Sequence, residues 1–139
     1  MHELLTRIEQ SIEIRAAAGS TWRAILERLG PRNGGPEYPM PMVLEAWPGG
    51  RWFRDLGSGT GHLWGHVQVI KPPTLLEITG PMFMSYAVAS HFSLRVVEVP
   101  GGSRVSLSHR ILGEMDPEHR EGATEGWKMF LDGIADLVK

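Results

Sequence analysis

The sequence predicts an α+β protein: a curved antiparallel β-sheet of about six to seven strands, wrapped around a long C-terminal helix with an apolar cavity between them. Three observations carry this. The run from Ala46 to Gly80, AWPGGRWFRDLGSGTGHLWGHVQVIKPPTLLEITG, reads as extended segments punctuated by Gly-Gly, a glycine-rich tip and Pro-Pro. Two alternating segments flank the PGG at 100–102 in the manner of a hairpin. The chain then closes on EGWKMFLDGIADLVK, whose apolar residues recur at helical spacing.

The first element is a strand. Ile8, Ile12 and Ile14 share one parity with Gln10, while Arg7, Glu9, Ser11, Glu13 and Arg15 take the other, so one face is buried and one wet. STWRAILERLG follows as a short amphipathic helix, with Ser20 as its cap, Trp22, Ile25, Leu26 and Leu29 on one face, and Gly30 as its stop. Residues 31–41, PRNGGPEYPMP, hold four prolines and two glycines and form an irregular loop. Strands are predicted at about 42–47, 51–56, 62–71, 75–80, 85–98 and 103–112. In the last two, Phe92, Leu94, Val96, Val105, Leu107, His109 and Ile111 point one way, and the serines and arginines between them point the other. The closing helix spans about 117–138. Asp116 stands at its N-cap and Pro117 at its first position, and Ala123, Trp127, Phe130, Leu131, Ile134, Leu137 and Val138 cover one face. Gly122, Gly126 and Gly133 run in a stripe along the edge of that face. Each costs a helix about 1 kcal/mol relative to alanine, so the stripe implies either close packing or room for a ligand.

At 139 residues the chain is read as one domain covering 1–139. The net charge of −2, with no cluster of Lys and Arg, points away from nucleic acid. The absence of cysteine excludes disulfides, thiolate metal sites and cysteine nucleophiles. No stretch reaches the roughly 18 apolar residues of a membrane span, and MHELLTRIEQ lacks a signal-peptide core, so a soluble cytoplasmic protein is expected.

His62 and His66 suggest a shared metal only if their segment is helical. GHLWGHVQV alternates, and four residues of strand span about 13 Å, too far for two imidazoles on one ion. No metal and no cofactor are expected. On that strand Leu63, Gly65, Val67 and Val69 are expected to face inward, and His62, Trp64 and His66 outward. An outward Trp64 would mark a contact between subunits of a homodimer, or cover by the glycine-rich loop. Catalytic patterns are thin. Ser106 and Ser108 lie on the opposite face from His109, and GSGTGH at 57–62 has no helix after it to cradle a phosphate.

The element order resembles the START-like, or SRPBCC, helix-grip superfamily, and within it the branch of activators of the ninety-kilodalton heat-shock chaperone ATPase. The resemblance rests on STWRAIL, PGGRW, GHVQVIKPPTLLEITG, the SLSH strand and EGWKMFLDGIADL in that order. Two features depart from the pattern. Ala16-Ala17 stands where alanine-proline commonly precedes the first helix, and the 31–41 loop replaces a second short helix near the cavity entrance. The resemblance implies a cavity between sheet and C-terminal helix. Inward parity assigns to its walls Tyr86, Phe92, Leu94, Leu107 and His109 from the sheet and Trp127, Phe130 and Ile134 from the helix. A buried His109 would need a polar partner, from Tyr86, a backbone carbonyl or a ligand. The leading functional expectation is binding of a small apolar or amphipathic molecule. The alternatives are a protein-interaction module like the chaperone-ATPase activators, using Trp64, and a cyclase or hydrolase with His109 as base.

Overall fold

A computed structural model describes residues 4–82 and 87–138. Its elements run β1 (Leu5–Ile14), α1 (Ala18–Leu29), β2 (Val43–Leu44), β3 (Arg51–Gly57), β4 (Thr60–Lys71), β5 (Leu75–Gly80), β6 (Val88–Val99), β7 (Gly102–Gly113) and α2 (Pro117–Leu137). The seven strands form one sheet in the order β1-β7-β6-β5-β4-β3-β2, every neighbour antiparallel. The strand that opens the chain thus closes one edge against the last hairpin. The expected fold class holds, with α2 packed on the sheet's inner face.

Periodicity of two explains the central strands. Along β6 and β7, Phe92, Leu94, Val96, Val105, Leu107, His109 and Ile111 are all buried. Their register pairs Phe92 with His109, Leu94 with Leu107 and Val96 with Val105, so one apolar face runs straight across the hairpin. The turn between them is Pro100-Gly101, and Gly101 takes φ +86°, a conformation a side chain would strain.

Two local expectations are corrected by contacts from distant parts of the chain. Helix α1 begins at Ala18, two residues before Ser20, and its N-cap residue Ala17 offers no side-chain acceptor. The Glu98 carboxylate of β6 accepts the Ala18 N–H at 3.2 Å instead, and Ser20 accepts from Arg23. A carboxylate at this end also suits the helix dipole. Gly30 ends the helix as expected, its N–H shared between the carbonyls of Leu26 and Glu27.

The second correction concerns Trp64. On β4, Gly65 pairs with Trp52 while Leu63 pairs with Phe53, leaving Trp64 as the extra residue of a β-bulge. The bulge breaks the alternation. Trp64 and Gly65 are both buried, while Leu63 turns to solvent at 47% exposure. Trp64 packs edge-on against Trp52, ring centroids 5.0 Å apart. It is a core residue, and its role as an outer contact is withdrawn. The backbone crowds here: a Cβ on Gly65 would lie 2.8 Å from Ile78 Cγ2. A second register shift beside Gln68 leaves Val69 only half-buried.

Candidate ligand pocket

Helix α2 is tied down by polar contacts at its N-terminal half. Gln10 Nε2 donates to the Thr124 carbonyl at 2.9 Å, and Arg120 Nε donates to Thr6 Oγ1 at 3.2 Å, both partners in β1. Asp116 occupies the N-cap position and Pro117 follows it, but the cap acts through the Asp116 carbonyl, which accepts from His119 and Arg120.

Beneath the helix lies a closed column of rings. Trp127 stacks on Phe92 at 4.6 Å between centroids, and Phe92 stacks on Trp52 at 6.2 Å. Phe130 and His109 each meet Trp127 edge-on, at 5.6 and 5.5 Å. Such pairs contribute about 0.5–1.5 kcal/mol each beyond the apolar area they bury. Both indole donors are used: Trp52 Nε1 donates to the Leu29 carbonyl at 2.7 Å and Trp127 Nε1 to His109 Nδ1 at 3.0 Å. Because Nδ1 accepts, the neutral ring carries its proton on Nε2. Burial first, and the nearby His91 second, push the His109 pKa down from 6.5 to about 4, so the ring is neutral at pH 7.

The open space lies beside this column. A half-enclosed pocket of about 410 Å³ runs along the flank of α2. Trp127 and Phe130 form its inner wall, with Trp64 from the β4 bulge. Met115, Met129 and Met40 supply flexible apolar surface, and Asn33 and Gly34 of the 31–41 loop face them. Gly122 and Gly126 border it, and among the described residues a Cβ built on either would meet nothing within 4 Å. Glu118 and His119 stand at the end formed by the first turn of α2.

The opposite end is Arg28, a charged residue only 7% exposed. Its guanidinium donates to the carbonyls of Arg32 at 2.7 Å and Met129 at 3.3 Å, and lies 5.6 Å from the Phe130 ring centre. It rests against Gly133, where a Cβ would fall on Nε and lie 2.7 Å from Cζ. Burial lowers its pKa, and Asp136 acts in the opposite direction. The glycine stripe therefore has two explanations, space at Gly122 and Gly126 and close approach at Gly133.

Of the eight residues expected to line a cavity, Trp127 and Phe130 border this pocket. Phe92, Leu94, Leu107, His109 and Ile134 are packed in the core, none more than 2% exposed. Tyr86 lies outside the described residues. Among the described residues the Trp127 indole of α2 is a hydrogen-bond partner of His109, while the expected partner Tyr86 lies outside those residues. Arg28 and the methionines went unnoticed in the sequence. Arg28 had a signal, for it follows Ile25 by three residues and so shares the buried face of α1. His62 and His66 are exposed on β4, beside Arg54 and Arg51 of β3. Among the described residues no group of three or more His, Asp or Glu side chains is placed to hold a metal, and no helix is long and apolar enough to cross a membrane.

A sheet of seven antiparallel strands gripping a C-terminal helix is the helix-grip architecture of the START-like superfamily. The sequence profile of the "Activator of Hsp90 ATPase homolog 1-like protein" family matches residues 37–139, and the chain belongs to that family. No curated protein matches its sequence. Solved structures share the fold at low identity. An uncharacterised protein from Rhizobium leguminosarum aligns with TM-score 0.75 at 15% identity, over 96% of this chain and 94% of that one. A protein from Chromobacterium violaceum gives 0.72 at 19%, over 95% and 96%. CalU16 from Micromonospora echinospora gives 0.65 at 19%, over 97% and 76%.

Proposed function

We propose that this protein binds a small apolar or amphipathic molecule in the pocket on the flank of α2. The observation that carries the reading is the pair Gly122 and Gly126, which leave the helix bare where it faces a space of about 410 Å³. Glycine there weakens the helix by about 1 kcal/mol at each position. Among the described residues no neighbouring backbone or side chain accounts for it, and room for a ligand does. Aromatic and methionine walls with few polar groups suit such a guest. Two observations weigh against the alternatives. His109 as a catalytic base would be sealed under Trp127 with Nδ1 already engaged. Trp64 as an anchor for a protein partner would have to leave the core.

The test is uptake of the neutral fluorescent dye Nile red, together with native mass spectrometry of the purified protein for a co-purifying molecule. Saturable one-to-one uptake is expected. The double variant Gly122→Leu/Gly126→Leu should fold normally and lose it, because leucine fills open space on an exposed helix flank. Absent uptake, or uptake unchanged in the double variant, defeats the proposal.

A further inference from the structure

We infer that the pocket selects an elongated apolar molecule ending in a carboxylate, with the carboxylate seated on the Arg28 guanidinium. This rests on the binding proposal above and goes beyond it in naming the ligand class. Arg28 is a permanently charged group more than nine-tenths buried. Among the described residues it makes no ion pair. Its two hydrogen bonds go to neutral carbonyls, its buried Nε, pressed against Gly133, has no hydrogen-bond partner among those residues, and Asp136 acts on it only from beyond ion-pair distance. A buried cation in this condition is costly unless something anionic completes it. Arg28 lines the pocket, so a ligand there can do so.

The rest of the pocket sets the form of that ligand. From Glu118 at one end to Met129 beside Arg28, α2 advances about 16 Å, which gives the space a long axis. Along that axis Met115, Trp64, Trp127 and Phe130 offer only apolar surface. The two ends differ in charge: Glu118 would repel a carboxylate, whereas Arg28, with the amide-bearing Asn33 alongside, would attract it. A single cation matches a singly charged head, and the planar fork of arginine fits a carboxylate edge-on.

Decanoate and decanol provide a matched pair differing only at the head. Their affinities at pH 7 are read by displacement of Nile red and by calorimetry. In the unmutated protein decanoate should bind at least about tenfold more tightly, the minimum expected from a charge-assisted hydrogen bond to a desolvated guanidinium. Arg28→Gln should erase that preference, read as the ratio of the two affinities, with the melting temperature checked alongside. Arg28→Lys, which keeps the charge but not the fork, should retain part of it and serves if the glutamine variant does not fold. Equal affinities in the unmutated protein, or a preference undiminished in Arg28→Gln, overturn the inference while leaving pocket binding intact. If neither decyl compound nor Nile red binds, the pocket reading fails and this inference with it.

Discussion

Gly126 and Gly133 lie about two turns apart on the same helix, yet one faces open space and the other is pressed against a guanidinium. The contrast extends to the regions around them. The underside of α2 is closed: Trp127, Phe92 and Trp52 stack, His109 is tied to the indole, and Ile134 is fully buried. The flank of α2 is open, lined by methionines and bare glycine backbone, and ends at a buried charge. Trp127 and Phe130 border both. The fold thus keeps its close packing and its open space at different places. The column under the helix carries the packing, so the flank can stay vacant without unravelling the grip. Mutations should separate the two.

The largest effect should come from the closed side. Phe92→Ala removes the ring between Trp52 and Trp127 and should cost about 3–5 kcal/mol in urea denaturation. A loss below about 1 kcal/mol would mean that the column is not the mainstay.

The same side should respond to acid. His109 takes up its proton at about pH 4 in the native state and near 6.5 when unfolded. Between those values the unfolded chain binds more protons, so the contribution of the neutral ring is complete above about pH 6.5. It should be lost progressively as pH falls to 4, amounting to about 3 kcal/mol. Stability curves of the protein and of His109→Gln, measured across that window, should therefore converge on acidification. Parallel curves would show that burial does not hold the ring neutral.

Smaller changes probe the boundary. Gly133→Ala gains up to about 1 kcal/mol of helix propensity. Its Cβ must displace the Arg28 guanidinium from two carbonyls, at a cost of about 1–3 kcal/mol, so a net loss near 1 kcal/mol is expected in thermal or urea melts. Gly126→Ala meets nothing among the described residues and should gain up to about 1 kcal/mol. If both changes stabilise alike, the contrast between the two ends of the stripe is wrong.

What the sequence determined by itself was the local pattern. Strand alternation placed the inward residues of β6 and β7, helical spacing placed the buried face of α2, and Gly30 and Pro117 marked a helix end and a helix start. These follow from periods of 2 and 3.6 residues, which any stretch of chain carries within itself. Tertiary structure decided the rest. One unpaired residue in the β3–β4 register turned Trp64 inward, against an alternation that had seemed regular. Glu98 capped a helix 80 residues away, displacing Ser20 from that role. Arg28 reached the carbonyl of Met129, 101 residues on, and gave Gly133 its reason. The space expected between Trp127 and the β6–β7 face was filled by the rings themselves, and the pocket opened on the helix flank instead. Whether a glycine marks contact or vacancy depends on which distant side chain arrives beside it, and that is settled only when the elements pack.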